Sequence, residues 1–115
     1  MQLLPTTAKQ IEVKGSTVDF YEYEEDGIKH YYFDSSETTP PGPMMNAMAG
    51  LKLVDENSKL VMINHLSPDG LFPKIQNNYD YKIIDLDDGR VKVEFTFKSD
   101  TKQVTDFNDN QCAGA

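Results

Sequence analysis

The chain has little cysteine, few basic residues and no long apolar run, and each shortage excludes a class of protein. Its single cysteine, Cys112, has no partner for an internal disulfide and excludes a multi-cysteine zinc site, which agrees with a reducing compartment. With Lys+Arg 11 against Asp+Glu 19, the formal net charge is -8 at pH 7. Such a chain lacks the clustered cations that displace counterions from a phosphate backbone, so we expect no nucleic-acid partner.

Membrane segments are also missing from the sequence. No stretch approaches the roughly 18 apolar residues that a membrane span requires. Residues 1–10 carry neither the basic nor the apolar region that begins a secretory signal. We therefore expect a soluble, cytoplasmic protein with no membrane partner. Its 115 residues suit a small single domain that buries roughly two thirds of its unfolded surface.

The first third of the chain is predicted to form antiparallel strands. Residues 11–14 and 17–25 are rich in alternating, β-branched and aromatic side chains, with a plausible turn at Gly15 and Ser16 between them. Asp-Gly at positions 26 and 27 then precedes a third strand-like run, and this pair favours a two-residue hairpin turn because both turn positions need positive φ.

A proline-containing loop over residues 35–42 is followed by an amphipathic helix. Two successive loop residues each precede a proline and are pushed away from helical angles, so the helix begins no earlier than the end of the loop. Pro43 suits the first helical position, where its missing N–H costs nothing. Met44, Met48 and Leu51 then share one face at i, i+4 and i+7, which predicts that the methionines fill the core.

The remaining chain alternates short strands with one short helix. The uninterrupted apolar run at residues 60–63 is typical of a strand buried within a sheet. A helix start at residues 67–70 precedes a short helix with Pro73 near its first turn. Residues 79–86 and 90–98 are predicted strands joined by a tight turn.

From residue 28 the predicted order is strand, helix, strand, helix, strand, strand. This order indicates an α/β (α+β) fold, a two-layer sandwich with both helices on one face of a mixed four-stranded sheet whose first two strands are parallel. We predict an N-terminal β-hairpin extension at residues 1–27, which either extends the sheet or shields its other face. The α/β domain spans residues 28–98, and a flexible acidic and polar tail spans residues 99–115.

The loop and the element order resemble a known family. An aspartate, Asp34, is followed by Pro40-Pro41-Gly42-Pro43 and then Met44. This pattern resembles the TusA-like (SirA-like) sulfur carriers, whose signature is an aspartate, a short loop and Cys-Pro-x-Pro opening the first helix. The resemblance covers roughly residues 28–98.

One departure from that family is chemical. Pro40 stands where the carriers have a cysteine that bears the transferred sulfur as a persulfide, activated by the helix N-terminus. Proline cannot carry sulfur. The sequence is most similar to an uncharacterised cysteine-less branch with Pro-Pro-x-Pro and a histidine at the end of the second strand, as His65 is here.

A candidate ligand or partner surface lies beyond the carboxyl ends of the two parallel strands, where open α/β sheets bind ligands. Its residues are Asp34, Glu37, Pro40, Pro41, Gly42, Pro43, Met44, Met45, His65, Ser67 and Asp69. Asp34 and His65 could coordinate a metal, hold a small anion or share a proton. We favour the alternative that Asp34 caps its loop and His65 ends its strand in a hydrogen bond, because two ligands do not make a metal site. His30 is predicted to lie on the surface.

We assign no catalytic residue, no metal and no cofactor, and expect a non-enzymatic binding or interaction module. Its partner is another protein or a small ligand, and a homodimer is a further candidate assembly because apolar residues on both sides of the strand at 59–65 leave a sheet face to cover. One alternative is a sulfur-relay or redox carrier that uses Cys112 on the tail. A weaker alternative is metal or haem binding through His65 with Met44 or Met45.

Overall fold

The computed structural model describes residues 4–39 and 41–98, which form six strands and two helices of an α+β fold. The strands are β1 (Lys9–Ile11), β2 (Phe20–Glu25), β3 (Ile28–Asp34), β4 (Ser58–Asn64), β5 (Tyr79–Asp85) and β6 (Val91–Phe97). The helices are α1 (Gly42–Leu51), between β3 and β4, and α2 (Phe72–Ile75), between β4 and β5. No helix of the described ranges is long and apolar enough to cross a membrane.

All six strands belong to one mixed sheet in the order β1-β2-β3-β4-β6-β5. β3 and β4 are parallel, as predicted for strands joined by a helix, and the other neighbours are antiparallel. The predicted four-stranded sheet is therefore too small. β2 pairs with β3 along its whole length, from Phe20 opposite Phe33 to Glu25 opposite Ile28, so the N-terminal strands extend the sheet.

The bounds of the N-terminal hairpin also differ from the prediction. β1 ends at Ile11 and β2 begins only at Phe20, so the intervening residues 12–19 form a loop. The reason lies in α1, where the Asn46 side chain accepts a hydrogen bond from the Thr17 backbone N–H at 2.7 Å. The loop is held against the helix and does not continue the β-ladder.

The turn and helix starts that were predicted from a few adjacent residues are confirmed. Asp26 and Gly27 both have positive φ, 54° and 78°, as a two-residue hairpin turn between β2 and β3 requires. α1 begins at Gly42, directly after the proline loop, and Pro43 lies in its first turn, where no N–H is needed. The short α2 likewise has its proline in the first turn.

The main core lies between the two helices and one face of the sheet. Its fully or largely buried members are Phe20, Phe33, Ala47, Leu51, Val54, Leu60, Met62, Leu71, Phe72, Ile75, Val91, Val93 and Phe95. The alternating apolar residues of β6 contribute every second side chain to this core, as their spacing predicts.

Ala47, Gly50 and Leu51 of α1 face the sheet, and the prediction that the methionines fill the core holds for Met44, which is partly buried against it, but is wrong for Met48. A Cβ on Gly50 would lie 2.8 Å from Leu60 Cδ1 and 2.9 Å from Phe20 Cε2, so the helix approaches the sheet more closely than a side chain allows. Met45 and Met48 lie on the side of the helix away from this contact, where they are 48% and 41% exposed.

The opposite face of the sheet carries a second, smaller cluster of Tyr23, Tyr32, Val61 and Ile63. Leu4 and Ala8 of the N-terminal segment pack against it, together with Tyr21 and Leu86. His30 lies on this face with its ring stacked on that of Tyr23 at 4.8 Å, and it is only 8% exposed. The prediction that His30 is a surface residue is wrong, because Tyr23 on the neighbouring strand covers it.

Candidate functional site

Asp34 ends β3 and lies on the sheet face away from the helices, opposite Ile63 in the parallel ladder. Its Oδ1 accepts a hydrogen bond from the Ser36 backbone N–H at 2.9 Å, which closes the first turn of the loop. Its Oδ2 accepts one from Arg90 Nη1 at 3.0 Å. Both carboxylate oxygens therefore have protein partners, and the loop-capping role that we favoured is confirmed.

His65 follows the last residue of β4 and is exposed. Within residues 4–39 and 41–98 it makes no hydrogen bond or ion pair, so the strand-ending hydrogen bond expected of it is not formed there. Neither kind of contact joins it to Asp34. The described part of the chain also has no group of three or more His, Cys, Asp or Glu side chains that could hold a metal ion.

Ser67 and Asp69, two further candidate residues, are hydrogen-bonded to each other. Ser67 Oγ donates a hydrogen bond to Asp69 Oδ1 at 2.7 Å at an exposed position. The loop then approaches α1, because a Cβ on Gly70 would lie 3.6 Å from the terminal methyl carbon of Met44. The structure thus brings Met44 and the end of this loop together.

The proline loop is tied down by backbone contacts. Thr38 donates from both its N–H and its hydroxyl to the carbonyl oxygen of Ser35, at 3.0 Å and 2.8 Å. The Gly42 N–H donates to Thr39 O at 2.7 Å, and a Cβ on Gly42 would lie 3.1 Å from Thr38. Glu37 is exposed at the edge of this loop. The predictions for Pro40 and for Cys112 on the tail lie outside the described residues.

Two buried polar residues at the ends of the parallel strands were not predicted from the sequence. Ser35 follows β3 and Asn64 ends β4, and they are 0% and 2% exposed. Ser35 Oγ donates to Asn64 Oδ1 at 3.0 Å, and Asn64 Nδ2 donates to Leu66 O at 2.9 Å. The signal that could have found them is a polar residue directly after an apolar strand. Because the two side chains are hydrogen-bonded to each other, they rigidify the ends of β3 and β4.

The outer side of α1 bears a surface groove lined mainly by apolar residues. We call it the methionine groove: it has a volume of about 340 Å³ and is lined by Lys14, Gly15, Pro41, Met44, Met45, Met48, Ala49 and Lys52. Three of these residues belong to the surface predicted from the sequence, namely Pro41, Met44 and Met45. Gly42 and the buried Pro43 lie in the same first turn of α1.

The charges of the methionine groove differ from those of the whole protein. Among the described residues that line it, Lys14 and Lys52 are the charged ones, and both are exposed. The chain as a whole carries a net charge of -8. The groove is therefore a locally cationic, apolar surface on an acidic protein, and a negatively charged ligand is attracted to it more than to the rest of the surface.

The tyrosines on the opposite sheet face are held neutral. Burial raises the pKa of Tyr23 to about 12, with Glu25 and Glu94 adding to the effect. Burial likewise raises the pKa of Tyr32 to about 12, reinforced by Asp34 and partly offset by Arg90. Both phenols are therefore protonated at neutral pH.

Comparison of the chain with models of protein families, with curated proteins and with solved structures finds no match.

Proposed function

We propose that this protein is a non-enzymatic binding module that docks an acidic, amphipathic segment of a partner protein in the methionine groove. The observation that carries the proposal is the exposure of Met45 and Met48, 48% and 41%, in a groove also lined by Lys14 and Lys52 on an otherwise acidic molecule. Large apolar side chains clustered on a surface, as distinct from single ones, are typical of interaction sites.

Methionine suits this role for a physical reason. Its unbranched, polarizable side chain adopts many shapes, so a methionine surface can adapt to the apolar face of a partner helix. Met44 is half-buried against the loop at Gly70 and provides a fixed floor beside the two more exposed methionines. The groove thus combines one held methionine with two adaptable ones.

The charge pattern selects the partner. The two lysines that line the groove attract glutamate or aspartate on the polar face of a docked helix, while the protein's net charge of -8 repels acidic segments elsewhere. A basic helix is instead attracted to the remaining surface. We therefore expect specificity to reside in the sign of the partner's polar face.

A methyl-NMR titration tests this function directly. The probe is a synthetic helical peptide with leucine at i, i+3, i+4 and i+7 and glutamate at the other positions. The ε-methyl signals of Met44, Met45 and Met48 should shift on titration. Met62 should not shift, because it is 0% exposed in the core and serves as an internal reference.

A peptide with lysine in place of every glutamate is the matched control, and it should shift these signals much less. Met45→Gln combined with Met48→Gln should weaken the acidic peptide about tenfold, because apolar contact area is lost. Lys14→Glu combined with Lys52→Glu should reverse the preference between the two peptides. Equal binding of both peptides to the unaltered protein, or shifts at Met62 alone, contradicts the proposal.

The proposed function agrees with the resemblance to cysteine-less TusA-like proteins, which we retain as a proposal. In that interpretation Pro41, Gly42 and Pro43 preserve the loop that begins the first helix, while the sulfur-bearing position has become proline. A scaffold without its nucleophile keeps a shaped surface beside that helix, and binding is the function that such a surface can still perform.

A further inference from the structure

A second surface with backbone groups available for binding is the outer edge of β5. Among the described strands β5 pairs only with β6, so its other side is an open edge. Tyr81 and Ile83 on this strand are 41% and 43% exposed, and the four-residue α2 covers only part of the adjoining face. An open edge with exposed apolar side chains is a template for another strand.

The direction of each backbone group on β5 follows from two hydrogen bonds. Leu86 N–H donates to Arg90 O at 2.9 Å, and Lys98 N–H donates to Asn78 O at 2.9 Å. Both pairs lie in the same register as β5 and β6, which fixes the even-numbered residues of β5 as the ones bonded to β6. The N–H and C=O groups of Tyr79, Tyr81, Ile83 and Asp85 therefore point outward from the sheet.

A second copy of β5 can pair with this edge in three central antiparallel registers that keep both sheet faces continuous. Centring the pair on Lys82 places two lysines directly opposite each other, which is unfavourable. Centring it on Ile83 places Lys82 opposite Ile84 of the other copy. Centring it on Tyr81 places Asp80 opposite Lys82 of the other copy, and does so twice by symmetry.

We infer that the protein forms a two-fold symmetric dimer in which two β5 edges pair antiparallel about Tyr81, making one continuous twelve-stranded sheet. The outward-pointing groups supply the hydrogen bonds, from Tyr81 to its own copy and between Tyr79 and Ile83. The charges supply the register, because only this alignment sets Asp80 against Lys82.

The side chains agree with this register on both faces. On the helix side, Tyr81 meets its own copy and Ile83 meets Tyr79, so the two exposed apolar residues of β5 become covered. On the other side, Lys82 makes no ion pair within the described residues and gains Asp80 of the second copy. Among the described residues Asp80 has one ion pair, a long contact of 3.8 Å with Lys98, so its carboxylate can accept a second cation.

Charge variants of the full chain test both the dimer and its register. Sedimentation velocity of the unaltered protein, from micromolar to millimolar concentration, should show a monomer–dimer equilibrium. Asp80→Lys sets two lysines against each other at both symmetric pairs, and Lys82→Asp sets two aspartates against each other there. Each should raise the dimer dissociation constant about tenfold or more, because two like-charged pairs replace two opposite ones.

Mixing the two variants provides the decisive control. An Asp80→Lys chain and a Lys82→Asp chain are complementary at both pairs, so the mixture should form heterodimers as tightly as the unaltered protein forms homodimers, as native mass spectrometry detects. Both positions are exposed, and matching circular dichroism melts will show that the variants fold. A monomer at all concentrations overturns the inference, as does a dimer indifferent to either variant or a mixture that forms no heterodimer.

Discussion

Among single residues, Gly50 has the greatest influence on how α1 lies on the sheet. Its missing side chain lets the helix backbone approach Leu60 and Phe20 to distances that no Cβ tolerates. Both neighbours are packed in the core: Leu60 is 0% exposed, and Phe20 is stacked on Phe33 at 4.8 Å. Met45 and Met48 are exposed on the side of the helix away from this contact.

Gly50→Ala should lower the free energy of unfolding by about 1 to 2 kcal/mol, measured by urea denaturation. Alanine gains about 1 kcal/mol of helix propensity, but overpacking costs about 2 to 3 kcal/mol here, the upper end of the usual range, because two contacts of the added Cβ fall below 3.0 Å. Gly70→Ala is the matched control, because its Cβ would meet Met44 at an ordinary 3.6 Å. An unchanged or higher stability of Gly50→Ala would contradict the close approach of α1.

The candidate site shows which residue roles a sequence can predict. The loop cap at Asp34 was predictable, because an aspartate before a serine-rich turn bonds backbone groups within two residues of itself. Its ion pair with Arg90 was not, since the two residues are 56 positions apart and meet only through the strand order. The burial of His30 was missed for the same reason, because its cover comes from a neighbouring strand.

Among the elements, the join between the N-terminal loop and α1 rests on Asn46, which is 0% exposed. Its side chain makes three hydrogen bonds: it accepts from Thr17 N–H at 2.7 Å and donates to Thr17 Oγ1 at 2.9 Å and to Gly42 O at 2.8 Å. One side chain thus holds residues 12–19 and the first turn of the helix together.

Asn46→Ala should cost about 2 kcal/mol of unfolding free energy, since each net hydrogen bond contributes about 0.5 to 1.5 kcal/mol and a better helix former offsets part of the loss. Hydrogen exchange should in addition accelerate at the Thr17 amide, which loses its acceptor. Met45→Ala, on the exposed side of the same helix, should change stability by less than about 0.5 kcal/mol. Unchanged protection of the Thr17 amide would show that Asn46 does not hold the loop.

Elements whose causes are local were predictable, and those with tertiary causes were not. The Asp26-Gly27 turn and the helix start after the proline loop follow from the φ preferences of a few adjacent residues. The end of β1, the facing of α1 and the joining of β2 to the main sheet depend on contacts between distant segments. Periodicity placed Met48 on the same face as Leu51, but it cannot show that small residues will form the contact.

For the whole molecule, the two proposed surfaces are compatible. The methionine groove lies on α1, which packs against β2 and β4, whereas the proposed dimer uses the outer edge of β5 beyond β6. A two-fold axis normal to a continuous sheet leaves both helix layers on the same side. The dimer would then present two methionine grooves to one partner surface, and a partner with two acidic segments would gain avidity without any new contact.

The sheet face opposite the helices carries ionisable groups that make the free energy of unfolding depend on pH. Burial acts to raise the pKa of Glu94, but Lys59 and Lys92 at 3.5 Å outweigh it and hold that pKa below its usual value. A carboxylate with a lowered pKa contributes stability that is present above its unfolded pKa and is lost as the pH falls through the folded one. The carboxylate is partly exposed, so we expect a shallow acid limb.

The alkaline limb should be steeper, because Tyr23 and Tyr32 keep their protons up to about pH 12 in the folded chain against 10.0 in the unfolded one. A group with a raised pKa contributes stability that is complete below pH 10.0 and is lost as the pH rises towards 12, on the order of 2 to 3 kcal/mol for each tyrosine. Tyr23→Phe combined with Tyr32→Phe should therefore move the midpoint of alkaline unfolding, followed by circular dichroism, to higher pH.

Neither hydroxyl makes a hydrogen bond within the described residues, so the double variant should fold normally at neutral pH. Tyr81→Phe, which removes an exposed phenol, is the control and should leave the alkaline midpoint where it is. The difference in tyrosinate absorbance between the unaltered protein and the double variant isolates the two buried phenols, and it should rise with the same midpoint as unfolding because they ionise only when the sheet opens. A rise that precedes unfolding would mean that solvent reaches these phenols in the folded state, and that the cluster with Val61 and Ile63 is not closed.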